Sequence, residues 1–371
     1  MKRRSFFKLM GSSAAAAALF PAVARASALP PKQKWRSYQL TYQVTLPASG
    51  KVAKLWLPLP DASDTSYQFT QGNNWSGKAT ATAFYMLPGT QSQVFFALWQ
   101  KGEERTVRVS SIIKTADRTV DLSSYRVPAN VSIPQNIKRY LQPTKYIPLD
   151  NAIKKMAQTI TSQANAHTPL QQARTIYDWV IDNVAYDTSG RGQGSGDLRS
   201  LLSRKENFSG RCVDIHALFV GLARASGIPA RIQYGIRISD SVLNKNLGKS
   251  GDISTSQHSQ AEFYLAGLGW VPVNPSDVAR VMAAESLLHH HDSISQLREK
   301  LFGSWEMNWV AFNEKENVDL GTTKASAAIN KLPFFSYPYA EIDGRLQDSL
   351  EPESFSYKIT SAILVGTGAK L

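Results

Sequence analysis

The sequence predicts an α+β protein, a β-rich first part leading into a core of helices packed on an antiparallel sheet. Between Trp35 and about Ser124, apolar residues recur with period two and are punctuated by Pro, Gly, Asn and Asp, the spacing of a β-sandwich. From Leu149 the repeat changes to three and four residues, the signature of helices burying one face. After Gly227 the alternation returns in segments joined by a glycine-rich turn, which reads as a sheet for those helices to cover. A chain of 371 residues, 43% of them hydrophobic, has enough apolar mass for a large core and about two domains.

Residues 1–26 stand apart from that plan. Lys2-Arg3-Arg4-Ser5-Phe6-Phe7-Lys8 is a basic start with a twin arginine, and Leu9 to Phe20 is an alanine-rich apolar run. Ala24-Arg25-Ala26 offers the small residues a signal peptidase accepts. The apolar run is short for a bilayer span, so the segment reads as a twin-arginine-type export signal cleaved near Ala26. The expected location is periplasmic or otherwise exported, with membrane contact only during export. Cleavage removes five basic residues and no acid, so 37 basic residues face 29 acidic ones and the net charge falls from +13 to +8. The remaining cations are scattered, which argues against nucleic acid and leaves room for an anionic partner. A single cysteine, Cys212, cannot form an internal disulfide. In an oxidising compartment it is either inert packing or kept for reactivity.

In chain order, 27–128 is expected to be the β-rich N-terminal domain. Its strands are Tyr38–Val44, Ala53–Leu57, Thr80–Tyr85, Val94–Leu98 and Thr106–Ile113, with no catalytic constellation among them. Pro128, Pro134, Pro143 and Pro148 mark a linker. A core over 145–280 follows. Helices begin at Leu149-Asp150 and at Pro169, a residue that suits a first helical turn. The Gly- and Ser-rich loop Thr188–Gly196 reads as mobile. A helix from Cys212 carries Ile215, Leu218, Phe219, Leu222 and Ala225 on one face and stops at Gly227. Ile232 to Ile238 alternates as a strand, Ser239–Gln257 is a polar excursion, and His258–Leu265 pairs with Trp270–Asn274 through Ala266-Gly267-Leu268-Gly269. Residues 281–371 form an extension completing the sheet or core, with strands near Phe302–Phe312, Pro338–Ile342 and Phe355–Val365.

Thiol chemistry needs a thiolate, a base and a group that orients the base. Cys212 sits at a helix start, where unpaired N–H groups and the dipole favour a thiolate. Arg211 adjoins it, Gly210 permits close backbone approach, and the Ser-Gly-Arg lead-in argues against deep burial. Two histidines compete as base. His216 is one helical turn away, but only His258 has nearby orienting candidates, Asn274 and Asp277. A zinc site from Cys212 and His216 is a minor alternative, and His289-His290-His291 reads as a solvated helix end.

These residues carry a resemblance. Gly210-x-Cys212, Ala217-Leu218-Phe219 and Arg224-Ala225-x-Gly227-Ile228-Pro229-Ala230-Arg231 resemble the cysteine block of the transglutaminase-like superfamily. His258-x-x-x-Glu262-x-Tyr264 through Gly269-Trp270-Val271-Pro272-Val273-Asn274-Pro275 resembles its histidine and acid block. The resemblance covers about residues 145–280 and implies a papain-like core with Cys212 as nucleophile, His258 as acid–base and Asn274 as orienting residue. The family usually has Asp where Asn274 stands. A two-residue turn at Gly267-Leu268 would put Asp277 opposite His258 and turn Asn274 away, and a one-residue shift would reverse that. The oxyanion is expected at the Cys212 N–H, with Tyr186 and Asn207 as candidate second donors. The expected activity is attack on an amide bond through an acyl-enzyme, hydrolysis favoured over transamidation, without cofactor or metal. The substrate is a protein, peptide or cell-wall peptide. The alternative is a non-catalytic protein- or cell-wall-binding module retaining the fold.

Overall fold

The computed structural model describes residues 34–47, 52–130, 132–203, 208–320 and 332–365, so the export-signal reading falls outside the described residues. Two five-stranded antiparallel sheets enclose one apolar core. The first sheet contains β1 (Trp35–Leu46), β3 (Gln68–Lys78) and β6 (Arg105–Ala116). The second contains β2 (Ala53–Pro58), β4 (Ala81–Met86) and β5 (Gln93–Trp99). Alternation explains the burial: Tyr38, Leu40, Tyr42 and Val44 of β1 face Leu55, Leu57, Phe95, Ala97 and Trp99 across the sandwich.

The N-terminal strands do not close these sheets alone. Tyr357–Leu364 pairs with Ser37–Val44 of β1, and Tyr339–Ile342 pairs with β2. The two ends of the chain are thus woven into one sandwich, and Ile236, Val310 and Phe312 of the neighbouring core sheet share its apolar cluster.

In the core, α1 (Asn151–Gln163) starts where the Asp150 carboxylate accepts from the Ala152 and Ile153 N–H groups. α2 (Pro169–Asn183) starts with a Thr168/Gln171 capping box and Pro169 in its first turn. α3 (Cys212–Ala225) is buried over most of its circumference and ends at Gly227, whose φ is +80°. These helices cover a four-stranded antiparallel sheet built from β7 (Ala230–Arg237), β8 (Gln257–Leu265), β9 (Gly269–Val273) and β10 (Trp309–Asn313), in the order β9-β8-β7-β10. Phe219 of α3 meets Phe263 of β8 edge to face.

Glu262 joins this sheet to the sandwich. Its carboxylate is fully buried between Arg118 and Arg231, and Arg231 reaches on to Glu314 while stacking 4.1 Å above Trp270. Burial alone would raise the Glu262 carboxyl, but the two guanidinium groups hold it down at about 2. Among the described residues no helix is long and apolar enough to cross a membrane.

Candidate active site

Cys212 occupies the first position of α3, so its N–H has no partner within the helix. The start of this helix is fixed by Asp214. Its carboxylate accepts from the Arg211 N–H at 3.0 Å and, from the glycine-rich loop, the Ser195 and Gly196 N–H groups at 3.0 and 2.8 Å. Glycine is required there: Gly194 has φ +94°, and a Cβ on it would lie 1.9 Å from an Asp214 oxygen. Gly210 is less tight but still crowded, with a Cβ falling 2.7 Å from that of Asp214. The Arg211 guanidinium donates to the carbonyls of Asp187, Gly190 and Gly192. The loop expected to be mobile is therefore fastened from both sides of the cysteine. Arg211 spends its donors on that loop rather than on the sulfur.

The thiol is buried, 3% exposed, against the expectation from its lead-in. Its cover comes from far along the chain. Cys212 and His258 line one cavity of about 250 Å³ whose walls include Tyr186, Arg280, Tyr337, Ser349, Leu350 and Tyr357. The covering segment is tied to the glycine-rich loop by Arg191, which pairs with Asp348 at 3.0 Å and Glu351 at 2.7 Å. Gln193 Nε2 adds a bond to the Ser336 hydroxyl at 2.5 Å. Burial pushes the Cys212 thiol above its ordinary range, against opposing contributions from Ser259, Arg280 and Arg211.

The β8–β9 turn has three residues, with Leu265 opposite Gly269, one step away from the register that faces His258 with Asp277. The strand then stops: Pro275 begins α4 (Pro275–Glu285), Asn274 caps it, and Asp277 is its third residue. Both side chains return to His258. Asn274 Nδ2 and Asp277 Oδ1 each lie 3.3 Å from His258 Nε2.

Hydrogen-bond bookkeeping separates their roles. Asn274 Oδ1 accepts the Asp277 N–H at 3.0 Å, the Ser276 hydroxyl at 3.0 Å and His216 Nε2 at 3.2 Å. This fixes the amide with its NH₂ towards Asp277 Oδ2 at 2.7 Å, Gln260 Oε1 at 3.3 Å and His258. Asn274 thus offers His258 a donor and no acceptor. Asp277 Oδ1 has no hydrogen-bond partner among the described residues and lies 3.3 Å from His258 Nε2, a free acceptor within reach of that nitrogen. With an Nε2–H turned to it, Nδ1 of His258 would be the basic nitrogen. Asp277 Oδ2 is in turn held by Arg237, a buried ion pair, and Trp309 Nε1 donates to the His258 carbonyl at 3.2 Å.

His216, on α3, is fully buried between Ser259 of β8 and Asn274 at the start of α4. Its Nε2–H goes to Asn274, and its Nδ1 takes the Ser259 hydroxyl proton at 3.0 Å. The Cys212 thiol itself points to Gln193, whose carbonyl and Oε1 lie 3.8 and 3.7 Å from the sulfur. Burial brings His216 down to about 3, and Arg237 adds to the effect. Burial also holds His258 well below its ordinary value, reinforced by Arg237, His216 and Arg280. The resting site is therefore a neutral thiol beside a neutral imidazole.

Among the described residues no group of three or more His, Cys, Asp or Glu side chains is arranged to hold a metal ion. His289–His291 lie at the start of the helix Asp292–Lys300, where His291 caps it. Of the oxyanion candidates, Tyr186 lies in the cavity wall, its hydroxyl pushed up to about 12 by burial and the nearby Cys212. Asn207 lies outside the described residues. Sequence reading missed Gln193, whose Oε1 sits 3.7 Å from the sulfur, and also Arg237, Ser259 and Arg280. An isolated polar side chain inside a run of glycines was the available signal for Gln193.

Residues 154–275 match the model of the transglutaminase-like superfamily. An uncharacterized protein of Haemophilus influenzae is 33% identical over 341 residues, covering 86% of this chain and 89% of that protein. A solved structure described as a candidate cysteine protease, from Cytophaga hutchinsonii, superposes with TM-score 0.53 at 14% identity, over 91% of this chain and 93% of that one. The periplasmic domain of TgpA from Pseudomonas aeruginosa aligns more loosely, with TM-score 0.35 and 16% identity over 73% of this chain and 90% of that one.

Proposed function

Because the chain belongs to the transglutaminase-like superfamily, we propose that it is a cysteine-dependent enzyme that opens amide bonds through a thioester at Cys212. The observation that carries this reading is the shared cavity of Cys212 and His258, with the free Oδ1 of Asp277 3.3 Å from His258 Nε2; on this reading Nε2–H turns to Asp277 and Nδ1 acts as base. Attack forms the Sγ–carbon bond as the thiol proton passes to His258 Nδ1. The amine leaves with that proton, and water then cleaves the thioester by the reverse relay, giving a carboxylic acid and the free thiol. Asp277 is the orienting acid, compensating the imidazolium that forms at each step. Asn274 sets the helix that delivers Asp277.

The Cys212 N–H is one oxyanion donor. Gln193 supplies the second: turning its amide by 180° directs Nε2 to the sulfur side, and the Ser336 hydroxyl satisfies either orientation because it both donates and accepts. Hydrolysis is favoured over transamidation because water is the abundant acceptor. The basic start and apolar run of residues 2–20 support an exported enzyme acting on peptides or cell-wall peptides.

The test is a panel of protein, peptide and cell-wall-peptide amides, incubated with and without a primary amine and compared with Cys212→Ala. Release of a free acid that disappears in Cys212→Ala is expected, with His258→Ala slowing both turnover and iodoacetamide labelling. A folded protein that turns over none of these amides and whose Cys212 resists labelling sinks the proposal in favour of a binding module.

A further inference from the structure

Three arginines lie around Cys212 and His258, and two of them are committed. Arg237 pairs with Asp277, and Arg211 is spent on the carbonyls of the glycine-rich loop. Arg280 is different. It is half-buried on α4, one helical turn beyond Asp277, and lines the same cavity as Cys212 and His258. No carboxylate or carbonyl acceptor meets its guanidinium among the described residues. Its recorded neighbour is the Tyr186 ring, 6.0 Å away. Among the described residues the cavity wall contains no Asp or Glu, while three tyrosines, Ser254, Thr255 and Ser349 supply neutral polar groups. A guanidinium without an acceptor, in a wall free of acid, is an anion receptor.

We propose that Arg280 is the specificity-determining residue of this site, binding a substrate carboxylate that lies a few bonds from the scissile amide. The substrate class is then an acidic peptide or amide, not a neutral carboxamide side chain in an uncharged setting. The small cavity fits this, since about 250 Å³ admits a residue-sized group and falls short of drug-sized pockets, which start at about 300 Å³. Arg280 also exerts its charge on both reacting groups, easing the thiol down and the imidazole down. Any test must therefore separate recognition of an anion from this general effect on the sulfur.

The inference rests on the thiol-enzyme reading above, and a pair of alkylating agents tells the two apart. Iodoacetate carries a carboxylate next to its reactive carbon, iodoacetamide is its neutral counterpart, and both report equally on the state of the sulfur. The ratio of their rates at Cys212 is expected to exceed the ratio for a small free thiol by about tenfold or more, the scale of a hydrogen bond to a charged group. Arg280→Gln should bring the ratio back to that of the free thiol, whatever happens to the individual rates. In the unaltered protein, glutarate should protect Cys212 from iodoacetamide while glutaramide does not. A ratio unmoved by Arg280→Gln, or equal protection by the two compounds, overturns the role of Arg280 and leaves the thiol enzyme standing. A Cys212 that reacts with neither reagent overturns both.

Discussion

Replacing Asp277 by Asn removes the negative charge behind His258 while keeping the shape and the backbone cap. Two separable losses follow. The first is structural: Arg237 and Asp277 are 5% and 4% exposed, so the exchange leaves a guanidinium buried without its carboxylate. Breaking a buried pair from one side costs about 3–5 kcal/mol, which should appear as a drop of several degrees in thermal midpoint. The second is chemical. On the proposed mechanism Asp277 Oδ1, 3.3 Å from His258 Nε2, accepts the Nε2–H, and a hydrogen bond to a charged group contributes about 1.5–3 kcal/mol, or roughly ten- to hundredfold in rate. Because Arg237 already neutralises the other oxygen, the lower end is expected, about a tenfold loss.

The double substitution Asp277→Asn with Arg237→Gln separates the two. It removes both charges, so most of the stability should return while the rate stays low. Iodoacetamide labelling of Cys212, followed by mass spectrometry at fixed pH, measures the second quantity and thermal denaturation the first. Asn274→Ala is the control. It should cost about 1 kcal/mol through the lost helix cap and change labelling only a fewfold. Should Asn274→Ala slow labelling more than Asp277→Asn does, the assignment of Asp277 as orienting acid is wrong.

Two further outcomes concern the buried charges. His216 titrates at about 3 when folded and near 6.5 when unfolded. A depressed histidine means the unfolded chain binds the extra proton, so its contribution to stability is complete above about pH 6.5 and disappears as pH falls towards 3. His216→Gln should flatten the pH dependence of unfolding in that window by close to one proton, read as the slope of unfolding free energy against pH. An unchanged slope would refute the neutral, doubly bonded histidine. Glu262→Gln takes the carboxylate from Arg118 and leaves Arg231 with Glu314 alone, and is expected to destabilise by about 3–5 kcal/mol. Since the folded carboxyl is depressed from 4.5 to about 2, the Glu262 contribution persists above about pH 4.5 and is lost only below it.

Much of the core was legible from its sequence because local and global signals agree there. Asp150, Thr168 and Pro169 announce helix starts, and each helix has one apolar face deep in the core. The strand Gln68–Lys78 escaped notice for a physical reason: it lies at the edge of its sheet, carries Gly-Asn-Asn at a bulge, and exposes most of its residues, so no alternation marks it. The choice between Asn274 and Asp277 was framed as a strand register. Pro275, a residue suited to a first helical position, was the overlooked sign that the strand ends and a helix begins. The depth of the thiol could not be read from its neighbours, because Tyr337, Leu350 and Tyr357 reach it from over a hundred residues away. Arg280 was equally invisible, since its meaning lies in the partner it lacks.

The weaving of the two chain ends has a kinetic consequence. Ser37 to Val44 pairs with Tyr357 to Leu364, so one of the first strands to be synthesised waits for nearly the last. Closing so long a loop is slow, and its entropic cost is met before the contacts that offset it are made. The same late segment brings Tyr337, Ser349, Leu350 and Tyr357 to the cavity of Cys212. Cys212 therefore acquires its complete surroundings only once residues 337–357 have been made, and a chain cut short of them presents a cysteine helix without those cavity walls.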